Sequence, residues 1–377
     1  MNVLTSILPR GFVYDHIVAT GGIGSGIFFQ LQGNETLGRN ESRMAALLPY
    51  KDYCKQHIIL HYISVLLGAK RSGAFQVYPT GKVGNDATGK NLLHQMQSVG
   101  MDTSHVTICD ALPTLFSVCF QYPDHSGGNI TSGQSASNEV LPKDISAFLK
   151  EFKLSGNKEI VLAAPEVPVA TRLELLDYGR RRGSLNVASV LSAEVADFKK
   201  YNGFAAVDIL AVNLDEAQHI AQMTDMHTET HVIVDACILY LKEWNPNITV
   251  LITCGSSGVY CYSNEALEFT PALSMPVVST AGAGDAFLAG FITGICCGLP
   301  YTKGTSDVFF AATPLQSATE LGVLLASLSV TSPDTIHEGV NAETVYDFVK
   351  EKTLNANMGF LKIFSQCQPH QAQKIHQ

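Results

Sequence analysis

Charge is scarce in this sequence, and it leans negative. Only 16% of the 377 residues are charged, and 25 basic side chains face 34 acidic ones, for a formal net charge of -9. Nucleic acids and anionic membranes are held by clustered basic surface, so neither is an expected partner. Nucleotide binding is not excluded, because it relies on a few local amides and cations. Long apolar runs are also missing. The longest, residues 286–299, falls short of the roughly 20 residues of a membrane span and is broken by glycine. It reads as a buried helix. No C-x-x-C spacing occurs among nine scattered cysteines, an odd number. They form neither a zinc pattern nor a disulfide framework, and they fit a reducing, cytoplasmic compartment. The first residues lack the charged start and long apolar run of a secretory signal. No repeat or low-complexity linker splits the chain. The 46% hydrophobic content is enough for a sizeable core. One domain is expected over residues 1–355, followed by a polar, mobile tail over 356–377.

The most informative stretch is 277–290, V-V-S-T-A-G-A-G-D-A-F-L-A-G. β-branched residues mark a strand, small residues a turn, and Ala286 onward an apolar helix. A glycine-rich turn that opens a helix leaves its first N–H groups without intrahelical partners. With the positive end of the dipole they form a site for an anion such as a transferring phosphoryl group. Gly282, Ala283 and Gly284 supply that cradle. Asp285 puts a carboxylate beside it, where it can hold a hydroxyl and accept its proton. The same residues also make an ordinary strand-to-helix turn with an acidic first-turn residue.

From residue 141 onward, strands alternate with helices, which argues for a parallel sheet flanked by helices. Two further stretches follow strands directly. Asn213-Leu214-Asp215-Glu216 opens a helix, with Asn and Glu three apart on one face. This pattern is a capping box, and it also suits magnesium, which takes one or two carboxylates and keeps several waters. Residues 250–260, V-L-I-T-C-G-S-S-G-V-Y, run strand, Gly/Ser turn, strand. Glu166 lies just past another strand end, where α/β proteins collect ligands. The glycines at 21–26 tempt a dinucleotide reading but fail its spacing. That sets aside a nicotinamide-dependent oxidoreductase.

These motifs together resemble the ribokinase-like (PfkB) carbohydrate kinases. Residues 279–287, S-T-A-G-A-G-D-A-F, are similar to that family's D-T-x-G-A-G-D-x-F. Residues 213–216 match its N-x-x-E, Thr253, Gly255 and Gly258 its T-x-G-x-x-G, and residues 83–90 its V-G-x-D-x-x-G-K. The resemblance implies a ribokinase-like three-layer α/β sandwich with a mostly parallel central sheet. It also implies a small β-lid, with strands within 27–42 and 106–137, that closes over a sugar and offers a homodimer surface. It implies an ATP-dependent phosphotransferase acting on a small hydroxylated acceptor, most readily a sugar. Asp285 would be the base, Asn213 and Glu216 would hold Mg2+, and the 253–258 loop would seat ATP. A monovalent cation, K+, belongs to the loop at Ser279, where the family has Asp. Residues 37–48, L-G-R-N-E-S-R-M-A-A-L-L, occupy the place of the family's G-G-x-x-x-N, read as a Gly turn entering a helix. Arg39 and Asn40, with Glu166, are then the candidate substrate contacts. A nucleoside or vitamin kinase and a non-catalytic binding member of the family are the alternatives.

Overall fold

A computed structural model describes residues 11–124, 127–152, 158–225, 228–304, 314–357 and 359–361. The chain starts with β1 (His16–Thr20), β2 (Gly24–Leu31), β3 (Ala45–Tyr53), α1 (Lys55–Leu67) and β4 (Gln76–Gly84). Next come α2 (Ala87–Ser98), β5 (Val106–Cys109), β6 (Leu115–Gln121), β7 (Gly127–Thr131) and α3 (Pro142–Glu151). Regular alternation follows through β8 (Glu159–Ala163), α4 (Val169–Arg182), β9 (Leu185–Ser189), α5 (Val195–Lys200), β10 (Ile209–Asn213) and α6 (Leu214–Ile220). The last elements are α7 (Thr230–Trp244), β11 (Thr249–Thr253), β12 (Gly258–Ser263), β13 (Ala266–Pro271), α8 (Ala283–Cys296), α9 (Ala318–Ser329) and α10 (Ala342–Glu351).

Nine strands form one sheet in the order β13-β12-β11-β10-β9-β8-β1-β4-β5. From β11 to β5 all neighbours are parallel, and β12 and β13 are antiparallel. Successive side chains of a strand point to opposite faces. In β1, Ile17 and Ala19 enter a core with α1, α8 and α9, while Val18 enters a second core with α4 and α7. A strand buried on both faces is what covers for a parallel sheet require, so the molecule has three layers. The order of connection reverses between β1 and β8. Their carboxyl ends flank the crevice where ligands collect in open α/β sheets.

A second sheet, β3-β2-β6-β7, forms the lid. The lid strands lie partly outside the expected windows. The helix expected in 37–48 is instead an exposed turn followed by β3. Met44-Ala45-Ala46-Leu47-Leu48 are good helix formers, but pairing with β2 overrides that preference. β5, expected with the lid, pairs with β4 at the edge of the main sheet. The boundary at 355 also moves outward. Ala356 bridges Leu315, and Phe360 is fully buried. Most of the tail lies outside the described residues, as do residues 305–313 of the segment after Tyr301.

Candidate active site

α8 is placed by backbone-to-backbone contact with α9. A Cβ on Gly290 would come within 2.7 Å of Leu321 O, and one on Gly322 within 2.7 Å of Phe287. Gly282 caps α8 at φ 79°, a left-handed conformation, and its missing side chain leaves room for Thr335 O at 2.7 Å from a Cβ position. Only glycine meets both conditions. The turn spends two of its amides on itself. Ala281 N donates to Ser279 Oγ at 3.3 Å and Ala283 N to Thr280 O at 3.2 Å. Among the described residues of this turn, the amides of Gly282, Gly284 and Asp285 are left to a ligand. The anion cradle therefore differs from Gly282–Gly284 read as three equal donors.

A cavity of about 650 Å3 opens in front of this turn. It is lined by Gly282, Ala283, Gly284 and Asp285 from the start of α8. Asn213, Glu216, Thr253, Gly255 and Gly258 line it from the ends of β10 and β11. Those nine residues, drawn from three separate stretches of sequence, share one space. Asn213 and Glu216 also form the capping box. Asn213 Oδ1 accepts from Glu216 N at 2.8 Å, and Glu216 Oε2 accepts from Asn213 N at 2.8 Å. The cap holds the Glu216 side chain at the cavity wall, so it does not exclude a ligand role. Burial pushes the Glu216 carboxyl up, against the pull of Lys55. A buried oxygen ligand beside an amide oxygen fits a hard divalent cation. Apolar side chains such as Leu273, Met275, Val323 and Val330 line the rest of the cavity, as a planar base requires.

Lys55 is the residue that the sequence motifs did not reveal. It opens α1 directly after the lid strand β3. Its Nζ lies 3.3 Å from Asp285 Oδ1, inside the same cavity. The Asp285 charge is the main cause that holds the ammonium well above its ordinary pKa, with Glu216 and Glu166 adding to it against desolvation. The Asp285 carboxylate and a fixed cation therefore meet at the mouth of α8. The one signal in the sequence was a Lys at the start of an apolar helical stretch.

Glu166 sits at φ 73° just past the end of β8. Its Oε2 accepts from Lys55 N at 3.2 Å. Burial raises its carboxyl to about 7, while Lys55 and Cys54 oppose the shift and Asp285 adds to it. Glu166 borders the site through Lys55 and is not among the residues lining the 650 Å3 cavity. Arg39 and Asn40 are not brought to the site. Both are exposed in the connection between β2 and β3, and neither lines the cavity. The entry to α1 is held by Tyr53-Cys54-Lys55.

Comparison with known proteins shows the family and the fold. Residues 63–341 match the family described as pfkB family carbohydrate kinase. A ribokinase of Lactococcus lactis is 24% identical over 234 residues, covering 60% of this chain and 71% of its own. A ribokinase from Cryptococcus neoformans, solved with ADP, superimposes with a TM-score of 0.69 at 19% identity, over 89% of this chain and 99% of that one. An Escherichia coli protein solved with ATP and Mg2+ gives 0.64 at 14% identity, over 89% and 99%. These structures share the three-layer fold and the lid.

Proposed function

Since the chain belongs to the pfkB family of carbohydrate kinases, we propose that Asp285 is the base that takes a hydroxyl proton from a sugar-like acceptor while ATP occupies the 650 Å3 cavity. The enzyme is an ATP-dependent kinase that uses Mg2+. In the proposed step, the acceptor oxygen bonds to the γ-phosphorus as its proton passes to Asp285. The bond between that phosphorus and the bridging oxygen of ADP breaks. The amides of Gly282 and Gly284 and the ammonium of Lys55 stabilise the charge on the transferring group. Asn213 and Glu216 are the residues that would hold magnesium, and Thr253, Gly255 and Gly258 would border the nucleotide. Magnesium, when bound, neutralises phosphate charge. The chain's own work is positioning and electrostatics.

The observation that carries the proposal is the 3.3 Å pair between Lys55 and Asp285 inside the cavity. A binding protein without catalysis has no use for a buried carboxylate and a half-buried cation aimed at one anion cradle. The proposal does not extend to K+. Ser279 offers a neutral hydroxyl where the family has a carboxylate, and that hydroxyl already accepts from Ala281. The eight described cysteines are all free, which supports a reducing, cytoplasmic setting, and no helix among the described residues is long and apolar enough to cross a membrane. Replacing Asp285 by Asn should abolish phosphorylation of the acceptor and leave ATP binding nearly intact. Undiminished turnover in that variant would remove Asp285 from the role.

A homodimer through the lid is also proposed. Strand register puts Phe116, Val118, Phe120, Leu47 and Ile130 on the outer face of the lid sheet. Phe116, Leu47 and Ile130 are exposed, and so is every residue of the edge strand β7. An apolar sheet face with an unpaired edge is a surface that a second copy would cover.

A further inference from the structure

The acceptor end of the site has an unusual charge. Between β1 and β8, at the reversal in strand order, Gly22 N donates to Pro165 O at 2.9 Å. A Cβ on Gly22 would come within 2.5 Å of the Glu166 Cβ. Glu166 is thus pressed against a floor of backbone at the crevice. Above it hangs the inner face of the lid. Register sets Gly26 beside Ser117 and Asp52, and Ser117 and Cys119 share one face of β6. Asp52 Oδ2 accepts from Ser117 Oγ at 2.5 Å and from Cys119 Sγ at 3.3 Å, and the side chain is buried. The lid is tied down over the anion cradle beside it. Thr335 accepts no side chain larger than glycine at 282, its N donates to Lys51 O at 3.1 Å, and its Oγ1 accepts from Tyr53 N at 3.0 Å. Asp52 stands between those two bonds.

Three carboxyl groups thus border the acceptor end: Asp285 at the wall, Glu166 on the floor and Asp52 on the lid. One ammonium, Lys55, joins them, through its side chain to Asp285 and its amide to Glu166. Arg172 is buried behind β8 and β9 and is neutralised by Glu194 at 2.7 Å. When Lys55 turns its charge to the transferring phosphoryl group, no other cation among the described residues is paired with these three carboxyl groups to balance a second anion. We infer that Asp52 and Glu166 are specificity-determining residues that restrict this kinase to acceptors without acidic groups, polyols whose hydroxyls donate to the two carboxyls. Sugar acids and sugar phosphates are excluded by repulsion and by desolvation without a partner. Burial, with a smaller addition from the Asp285 charge, raises the carboxyls of Asp52 and Glu166, so further negative charge beside them is disfavoured.

The inference rests on the kinase reading, and its test separates the two. D-ribose and D-fructose are compared with ribose 5-phosphate and D-gluconate, first for phosphoryl transfer from ATP. They are then compared for equilibrium binding to the full chain in the presence of a non-hydrolysable ATP analogue. The neutral acceptors should bind at least about tenfold tighter than the anionic ones. In the double variant Asp52→Asn, Glu166→Gln that preference should shrink about tenfold, with ATP binding unchanged. Retained ATP affinity shows that the variant is folded, and the conservative replacements keep the hydrogen bonds. Tighter binding of either anion, no binding of the neutral acceptors, or an unchanged preference in the double variant would each overturn the inference. Transfer to an anionic acceptor would do so while leaving the kinase reading intact. Absent transfer with intact selective binding would count against the kinase reading alone.

Discussion

Lys55 and Glu166 carry the most testable chemistry after Asp285. If the Lys55 ammonium stabilises the transferring group, Lys55→Met should lower kcat about 100-fold or more, the range for loss of one preorganised donor. ATP affinity should change only a few-fold. An unchanged kcat, measured by steady-state kinetics with Mg2+, would contradict this. Glu166 titrates in the accessible range. Its ionised form accepts the acceptor hydroxyl, so KM for the acceptor should fall as pH rises through about 7, and Glu166→Gln should flatten that dependence. Stability should move the other way. The folded carboxyl, raised from 4.5 to about 7, holds its proton where the unfolded one has lost it. Folding stability therefore drops as pH rises across that window. Glu166→Gln removes this loss and should melt higher than the wild type at pH 8. Lys55 was illegible in the sequence for a physical reason. Its partner lies 230 positions away, and no local pattern marks a single Lys at a helix start. Arg39 and Asn40, expected at a helix start, lie in an exposed lid connection because the strand pairing that places them is not local.

Elements built from contiguous residues were legible. The cradle of α8 follows from a strand, a glycine turn and an apolar helix within fourteen positions, 277–290. Gly282 is required by a left-handed φ, which is a local condition, and by the approach of Thr335 O, which is not. The start of α6 was legible in two ways at once; the structure shows the capping box and sets both side chains at the cavity wall, and the magnesium role is the proposal. A replacement can separate them. Gln at position 216 preserves the cap, because Gln serves in a capping box as Glu does, but it removes the charge that a divalent cation seeks. Glu216→Gln should leave the melting temperature unchanged and raise the Mg2+ concentration for half-maximal activity about tenfold or more. A lowered melting temperature with unaltered Mg2+ dependence would assign Glu216 to the cap alone. β3 was illegible at this scale. Its Ala and Leu residues favour a helix in isolation, and they become strand because β2 supplies the hydrogen bonds and the lid supplies a half-buried face.

For the whole molecule, the alternation of strands and helices announced a parallel sheet. It did not announce the strand order or the reversal between β1 and β8 that sets the acceptor crevice. That order depends on pairings between strands far apart in sequence, such as Ile17 with Ile160. The lid gives the prediction proper to this scale. Wild-type protein should sediment as a dimer, and Ile130→Glu, which puts a charge on the outer face, should yield a monomer of unchanged melting temperature. A wild-type monomer at micromolar concentration would end the dimer proposal. The central claim is phosphoryl transfer with Asp285 as base. It is tested most directly by incubating the purified chain with ATP, Mg2+ and neutral sugars and detecting phosphorylated sugar by mass spectrometry, wild type beside Asp285→Asn. Phosphorylated sugar from the wild type alone, with ATP bound equally by both, is the predicted result. Equal product from both proteins, or none from a wild type that binds ATP and sugar, would contradict it.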